Sequence, residues 1–133
     1  MSTISAQPTQ TTIALTRRAI LARLNFIELP TRDLAASQTF FETVFGMTMT
    51  GFGPTYACTL TGDVDIGLQA DQQEATQAPL PVIEVTDLEA TLAAVTAAGA
   101  PVTNPIFSFP GGRRFHFLDP SGNELAAMQV DAQ

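Results

Sequence analysis

The 133-residue chain has no lysine, one histidine and one cysteine, and only 14% of its residues are charged. The six positive charges are all arginine: Arg17, Arg18, Arg23, Arg32, Arg113 and Arg114. The single Cys58 excludes an internal disulfide and fits a reducing compartment. No apolar run approaches the roughly 20 residues of a membrane span. The apolar stretch Ala19–Leu21 after Arg17-Arg18 is too short for a signal peptide. A formal net charge of −7 argues against nucleic acid and anionic membrane surfaces as partners, since both attract basic patches. The expectation is a cytoplasmic protein. Also missing are a Ser-His-Asp arrangement, a phosphate loop and zinc-ligand spacing, so the residues call for no cofactor.

What is present is one pattern written twice. Ile27-Glu28-Leu29, Asp33-Leu34, a helix-like stretch and Gly46 form the first copy; Ile83-Glu84-Val85, Asp87-Leu88, a second such stretch and Gly99 form the other. A strand-cap-helix-glycine unit recurring at nearly constant spacing indicates duplication. Hydrophobic residues make up 45% of the chain, enough for one domain with a real core. Residues 1–21 read as a partly disordered leader rich in Ser, Thr and Gln, and residues 22–133 as a single domain. Its modules span about 24–70 and 79–130, joined by the polar linker Asp71–Ala78.

Alternation makes Leu24–Leu29 a strand with Leu24, Phe26 and Glu28 on one face. Thr16–Leu24 forms a short helix, extends that strand or reaches onto a partner subunit. Asp33 caps the following helix, whose stripe Leu34, Ser37, Phe40, Phe41, Val44 and Phe45 is expected to be core. Short strands follow at Met47–Thr50, Thr55–Leu60 and Val64–Gln69. In the second half Leu80–Val85 is a strand. Thr86 and Glu89 read as a capping box, and Leu88, Leu92, Val95 and Ala98 as the buried stripe. Val102-Thr103, Ile106–Phe109, Arg113–Leu118 and Glu124–Val130 are extended.

The segment Phe117-Leu118-Asp119-Pro120-Ser121-Gly122-Asn123-Glu124-Leu125 resembles the closing hairpin of the vicinal oxygen chelate (glyoxalase/bleomycin resistance/extradiol dioxygenase) superfamily. Ile27–Gly46 resembles its opening module. Gly53-Pro54, Tyr56 and the Phe109–Gly112 turn also look like those of proteins described as related to lactoylglutathione lyase. The resemblance implies an α+β fold, two βαβββ modules forming a cup-shaped mixed sheet, and a homodimer. It also implies one metal ligand on the first and last strand of each module. Matched position by position, these fall at Phe26, Gly67, Leu80 and Ala126. None carries a side chain able to ligate a metal, so no bound metal is expected.

If Phe26 faces the cup, so do Glu28 on the same strand, Leu80, Val82 and Glu84 on the fifth, and Arg114, His116 and Met128 on the last two. A mostly apolar cavity with a few convergent polar groups suits a small molecule. His116 is the candidate general acid/base, steered by Glu28 or Glu84, or else a satisfied strand histidine. Arg114 either anchors a ligand anion or pairs internally with Glu28 or Glu84. Cys58 reads as a small buried hydrophobe. Three functions follow: a metal-independent binder of a small molecule held in the cup; a lyase or isomerase using His116 with Arg114 and Glu28; or a dimeric interaction module without ligand.

Overall fold

The computed structural model describes residues 21–132. Strand β1 spans Ala22–Pro30 and helix α1 Leu34–Phe45. Strands β2 (Thr50–Gly51), β3 (Tyr56–Cys58) and β4 (Asp65–Gln69) complete the first unit. The second repeats the order: β5 (Leu80–Val85), α2 (Leu88–Ala97), β6 (Val102–Phe109), β7 (Gly112–Leu118) and β8 (Glu124–Val130). All strands join one sheet in the order β2-β3-β4-β1-β5-β8-β7-β6. Each unit returns to its first strand through a parallel pair, β1 with β4 and β5 with β8, while β1 and β5 meet antiparallel at the centre. The fold is therefore a mixed α+β sheet of two βαβββ units, not closed into a barrel.

The duplication extends to backbone angles. Asp33 (φ −143°, ψ 97°) and Asp87 (φ −144°, ψ 97°) cap the two helices with the same geometry. Each Oδ1 accepts from the amide three residues on, Ala36 at 3.0 Å and Ala90 at 2.9 Å. The expected Thr86–Glu89 box is thus replaced by Asp87. Thr86 is tied instead to the residue before strand β1, its hydroxyl accepting from Leu21 N, and Glu89 pairs with Arg113. Gly46 ends α1 at φ 67°, a left-handed position that a Cβ disfavours.

Two packed cores lie on the helix side of the sheet. Met49, Ala57 and Leu68 gather Leu29, Leu34, Phe41 and Ile66 under α1, while Val85, Leu88, Phe115 and Ala127 gather Leu92, Val95 and Phe117 under α2. The expected α1 stripe is only partly core. No residue of α1 is buried, and Phe40, Val44 and Phe45 are 52%, 56% and 60% exposed. Strands β2 to β4 are short, so the sheet beneath α1 is too small to cover a stripe that wide. Phe40 and Phe45 pack on each other and on Phe41 instead. On α2 only Leu88 is buried, and Ala98 lies exposed beyond the helix.

A third cluster, Leu80, Val82, Ala126 and Met128 with Phe26 and Phe109 against it, occupies the opposite face. Among the described residues no helix covers that face, and the cluster is buried in the cup of the mixed sheet.

Strand β1 departs from simple alternation. A register shift falls between Leu24 and Phe26, leaving Asn25 as the extra residue of a bulge. Leu24 therefore sits opposite Ile83, on the helix side rather than with Phe26, and Arg23 takes its place opposite Glu84. A one-residue insertion exchanges the faces of everything before it. Residues Ala22–Leu24 extend β1, whereas residues 1–20, which include the start of the Thr16–Leu24 segment, lie outside the described residues.

Candidate functional site

Sheet pairing decides which side chains share the concave face, because directly paired residues point the same way. Phe26 lies opposite Val82, Glu28 opposite Leu80, and Arg114 and His116 opposite Met128 and Ala126. Glu84 pairs with Met128 across the parallel β5–β8 ladder. All eight candidate residues thus fall on one face. Phe26, Leu80, Val82 and Met128 form its apolar floor.

The polar groups divide into three contacts. Glu28, 5% exposed, faces Arg114, whose Nη2 lies 3.4 Å from both carboxylate oxygens. This is a long approach through one nitrogen, not a bidentate fork. The Arg114 guanidinium also stands over Phe107 at 5.3 Å and Phe109 at 5.7 Å from the ring centroids, within cation–π range. Glu84 is not part of this group. It accepts from Arg23 at 3.2 Å and Asn25 at 3.1 Å, toward the rim. Arg113 points to the other face, as alternation requires, and is paired with Glu89 rather than simply solvated.

His116, 4% exposed, is steered by neither Glu28 nor Glu84. Its Nδ1 meets Glu124 Oε2 at 2.9 Å, and the same oxygen accepts from Thr103 Oγ1 at 3.1 Å. An ionised carboxylate only accepts, so Nδ1 is the donor in this contact. Glu124 was hidden in the sequence inside the closing-hairpin motif. The five-residue turn Asp119–Asn123 sets Leu118 opposite Glu124 and His116 opposite Ala126, which puts His116 and Glu124 diagonally on one face. Counting register across that turn is the signal that finds it.

Two buried side-chain nitrogens have no hydrogen-bond partner among the described residues: Arg114 Nε and His116 Nε2. Both belong to this face. Tyr56 and Cys58 share it, since they pair with Gln69 and Gly67. Burial first, and then the negative charge of Glu28, pushes the Tyr56 phenol above its ordinary value; burial and then Asp65 raise the Cys58 thiol. A protonated, buried thiol makes no nucleophile.

A mixed sheet of paired βαβββ units, helices on one side and converging polar groups in the concave other, defines a class of cup-shaped proteins. Residues 23–127 match the family profile of the Glyoxalase/Bleomycin resistance protein/Dioxygenase superfamily, and the chain belongs to that superfamily. Solved structures agree on the fold. A superfamily member from Vibrio splendidus 12B01 aligns with TM-score 0.62 at 21% identity, over 84% of this chain and 100% of that one. Methylmalonyl-CoA epimerase from Mycobacterium tuberculosis aligns with TM-score 0.65 at 13% identity, over 82% and 88%. The Mn(II)-bound glyoxalase from Novosphingobium aromaticivorans gives TM-score 0.58 at 22% identity, covering 82% of this chain but 40% of that chain. No curated protein matches the chain.

The metal that the fold family implies does not fit these residues. Phe26, Leu80 and Ala126 lie in or against one apolar cluster. A Cβ at Gly67 would run into Phe26 Cζ and Tyr56 Oη, so the fourth position has no room even for alanine unless those rings move. Among the described residues no group of three or more His, Cys, Asp and Glu is arranged to hold an ion.

Proposed function

We propose that the protein is a metal-independent small-molecule-binding protein of this superfamily, with its ligand in the cup of a single domain spanning residues 22–133. One observation carries the reading: two unpaired buried nitrogens, Arg114 Nε and His116 Nε2, beside the apolar cluster of the concave face. Buried polar groups are almost always hydrogen-bonded, and a bound molecule or water would complete both. The four metal-ligand positions carry no donor atoms, which supports metal independence. Arg114 and His116 are assigned as ligand contacts over Phe26, Val82, Leu80 and Met128, with Glu28 holding Arg114. Glu84 is reassigned to the rim. The free Cys58 supports a cytoplasmic location, and no helix among the described residues is long and apolar enough to cross a membrane.

The Glu124–His116 contact favours a second reading, a lyase or isomerase in which His116 Nε2 moves a proton while Arg114 anchors an anion. The exposed aromatic face of α1 supports a homodimer. Phe40, Val44 and Phe45 are uncharged in an acidic chain, so a second copy can meet them without like-charge repulsion.

A thermal-shift screen with small acids, amines, thiol conjugates and divalent metals tests the lead reading. A ligand at a hundred times its Kd adds about 2.7 kcal/mol and raises the melting temperature by several degrees. An organic hit lost in Arg114→Met supports the reading. A metal-induced rise reversed by chelator overturns it. Light scattering checks the dimer, which Phe45→Glu should dissociate.

A further inference from the structure

We infer that the stretch Ile13–Ile20 of this chain docks in a cleft at the C-terminal end of α1, away from the cup. The cleft has a volume of about 460 Å³. Met47 and Thr48 after the helix, Ile66 on β4, and Leu60, Thr61 and Val64 of the β3–β4 turn line it. Leu60 is 65% and Val64 47% exposed, so water covers much of this apolar surface. No charged side chain is in the lining, and the hydroxyls of Thr59 and Thr61 already bond Asp65. The cleft therefore offers apolar contact and no buried counter-charge to a free ion.

The preceding chain starts beside it. Strand β4 begins at Asp65, opposite Phe26, and Ile66 pairs in parallel with Ile27. Val64 and the turn before it thus stand beside the start of β1. Leu21 is fixed at that edge of the sheet: its N donates to Thr86 Oγ1 at 3.1 Å, and its carbonyl accepts from Thr86 N at 3.2 Å. Leu21 and Leu24 are both exposed, and Leu24 shares the helix side with Ile27, one strand from Ile66. Neighbouring strands lie about 5 Å apart, whereas eight residues span up to about 26 Å, so Ile13–Ile20 reaches the whole cleft. On the other side of Leu21, Val85 and Leu88 are buried and Asp87 caps α2, which leaves no comparable apolar opening there.

Charge selects the same segment. Residues 1–20 hold Arg17 and Arg18 and no acidic residue, while all 13 acidic residues lie at Glu28 or beyond. Glu42 and Asp63, exposed and close in sequence to the cleft, form no ion pair among the described residues. The last turn of α1 carries no basic residue, so no side chain there offsets the partial negative charge of the helix end. Ile13, Leu15 and Ile20 supply apolar contacts to Met47, Leu60 and Val64, and Arg17-Arg18 supplies the positive charge. A segment of the same chain meets the cleft at high effective concentration, which favours it over a separate partner.

Trypsin tests this on the full chain. There is no lysine, so within the segment trypsin cuts only after Arg17 and Arg18, and the rate there follows the undocked population. Cleavage should be at least about tenfold slower than in a free peptide of residues 9–22. Leu60→Ser combined with Val64→Thr should raise the rate about fivefold, with circular dichroism unchanged because both positions are exposed. Glu42→Gln with Asp63→Asn should raise it about twofold, as exposed charges contribute little each. Cleavage as fast as in the free peptide overturns the inference, and so does a rate that the Leu60/Val64 variant leaves unchanged. Protection lost on dilution overturns it as well, by assigning the cleft to the segment of a second copy. The cup reading stands or falls separately, on the thermal-shift screen.

Discussion

Replacing Glu28 by Gln removes the charge facing Arg114 and keeps the side chain's shape. At 3.4 Å and an effective dielectric near 20, the gross attraction is about 5 kcal/mol. Desolvation cancels most of that in the intact pair, but removing one partner leaves the other charge buried and unpaired, at about 3–5 kcal/mol. Arg114 keeps its approach to Phe107 and Phe109, worth about 1 kcal/mol, so Glu28→Gln should cost about 3 kcal/mol. For a domain of this size that is a fall of roughly 10–15 °C in Tm. Arg114→Met should cost about as much by stranding Glu28. The double variant should cost little more than either single one, since the second change removes a charge that the first has already left unpaired. Urea unfolding of the four proteins at constant pH gives the coupling energy, expected to be about 2–3 kcal/mol. Additivity within about 0.5 kcal/mol would refute the reasoning, showing the pair screened by water and the cup floor not dry.

The two helix caps should respond alike: Asp33→Ala and Asp87→Ala each cost about 1 kcal/mol, and their effects add, as denaturant midpoints will show. Gly67→Ala drives a methyl group into Phe26 and Tyr56 and should cost about 1–3 kcal/mol, with part recovered in Gly67→Ala/Phe26→Leu. At Asp65 burial pushes the carboxyl up, but the donors Thr59, Thr61 and Gly62 outweigh it and hold the group below its ordinary value. A carboxyl depressed in the folded state stabilises above its unfolded pKa, about 4, and that stability is lost as pH falls through the folded value. Asp65→Ala should therefore be about 1 kcal/mol less stable than the parent at neutral pH, and the difference should shrink below about pH 4. A difference independent of pH refutes the assignment.

Most of the scaffold was legible before folding because its signals are local. Asp33, Asp87, Gly46 and Gly99 mark helix boundaries by bonds and dihedrals confined to a few residues, and the doubled pattern exposed the duplication. The donor-free positions Phe26, Gly67, Leu80 and Ala126 were equally readable, being a matter of residue type. The errors share one cause. The α1 stripe was read as core from periodicity, which says what a helix offers and not how much sheet lies beneath it. Leu24 was placed on the same face as Phe26 because alternation cannot foresee the bulge at Asn25. Glu124 was missed as the partner of His116, and Glu84 was kept too near it, because pairing across strands depends on register.

By itself the sequence determined the family, the paired units, the helix caps and the eight side chains that share the concave face, since alternation and capping act over a few residues. Only the tertiary structure decided which of those side chains touch. The pairs Arg114–Glu28, Arg23–Glu84 and His116–Glu124 join residues that strand register brings together across the sheet, and register is set by the bulge, the hairpin turn and the burial of whole faces at once.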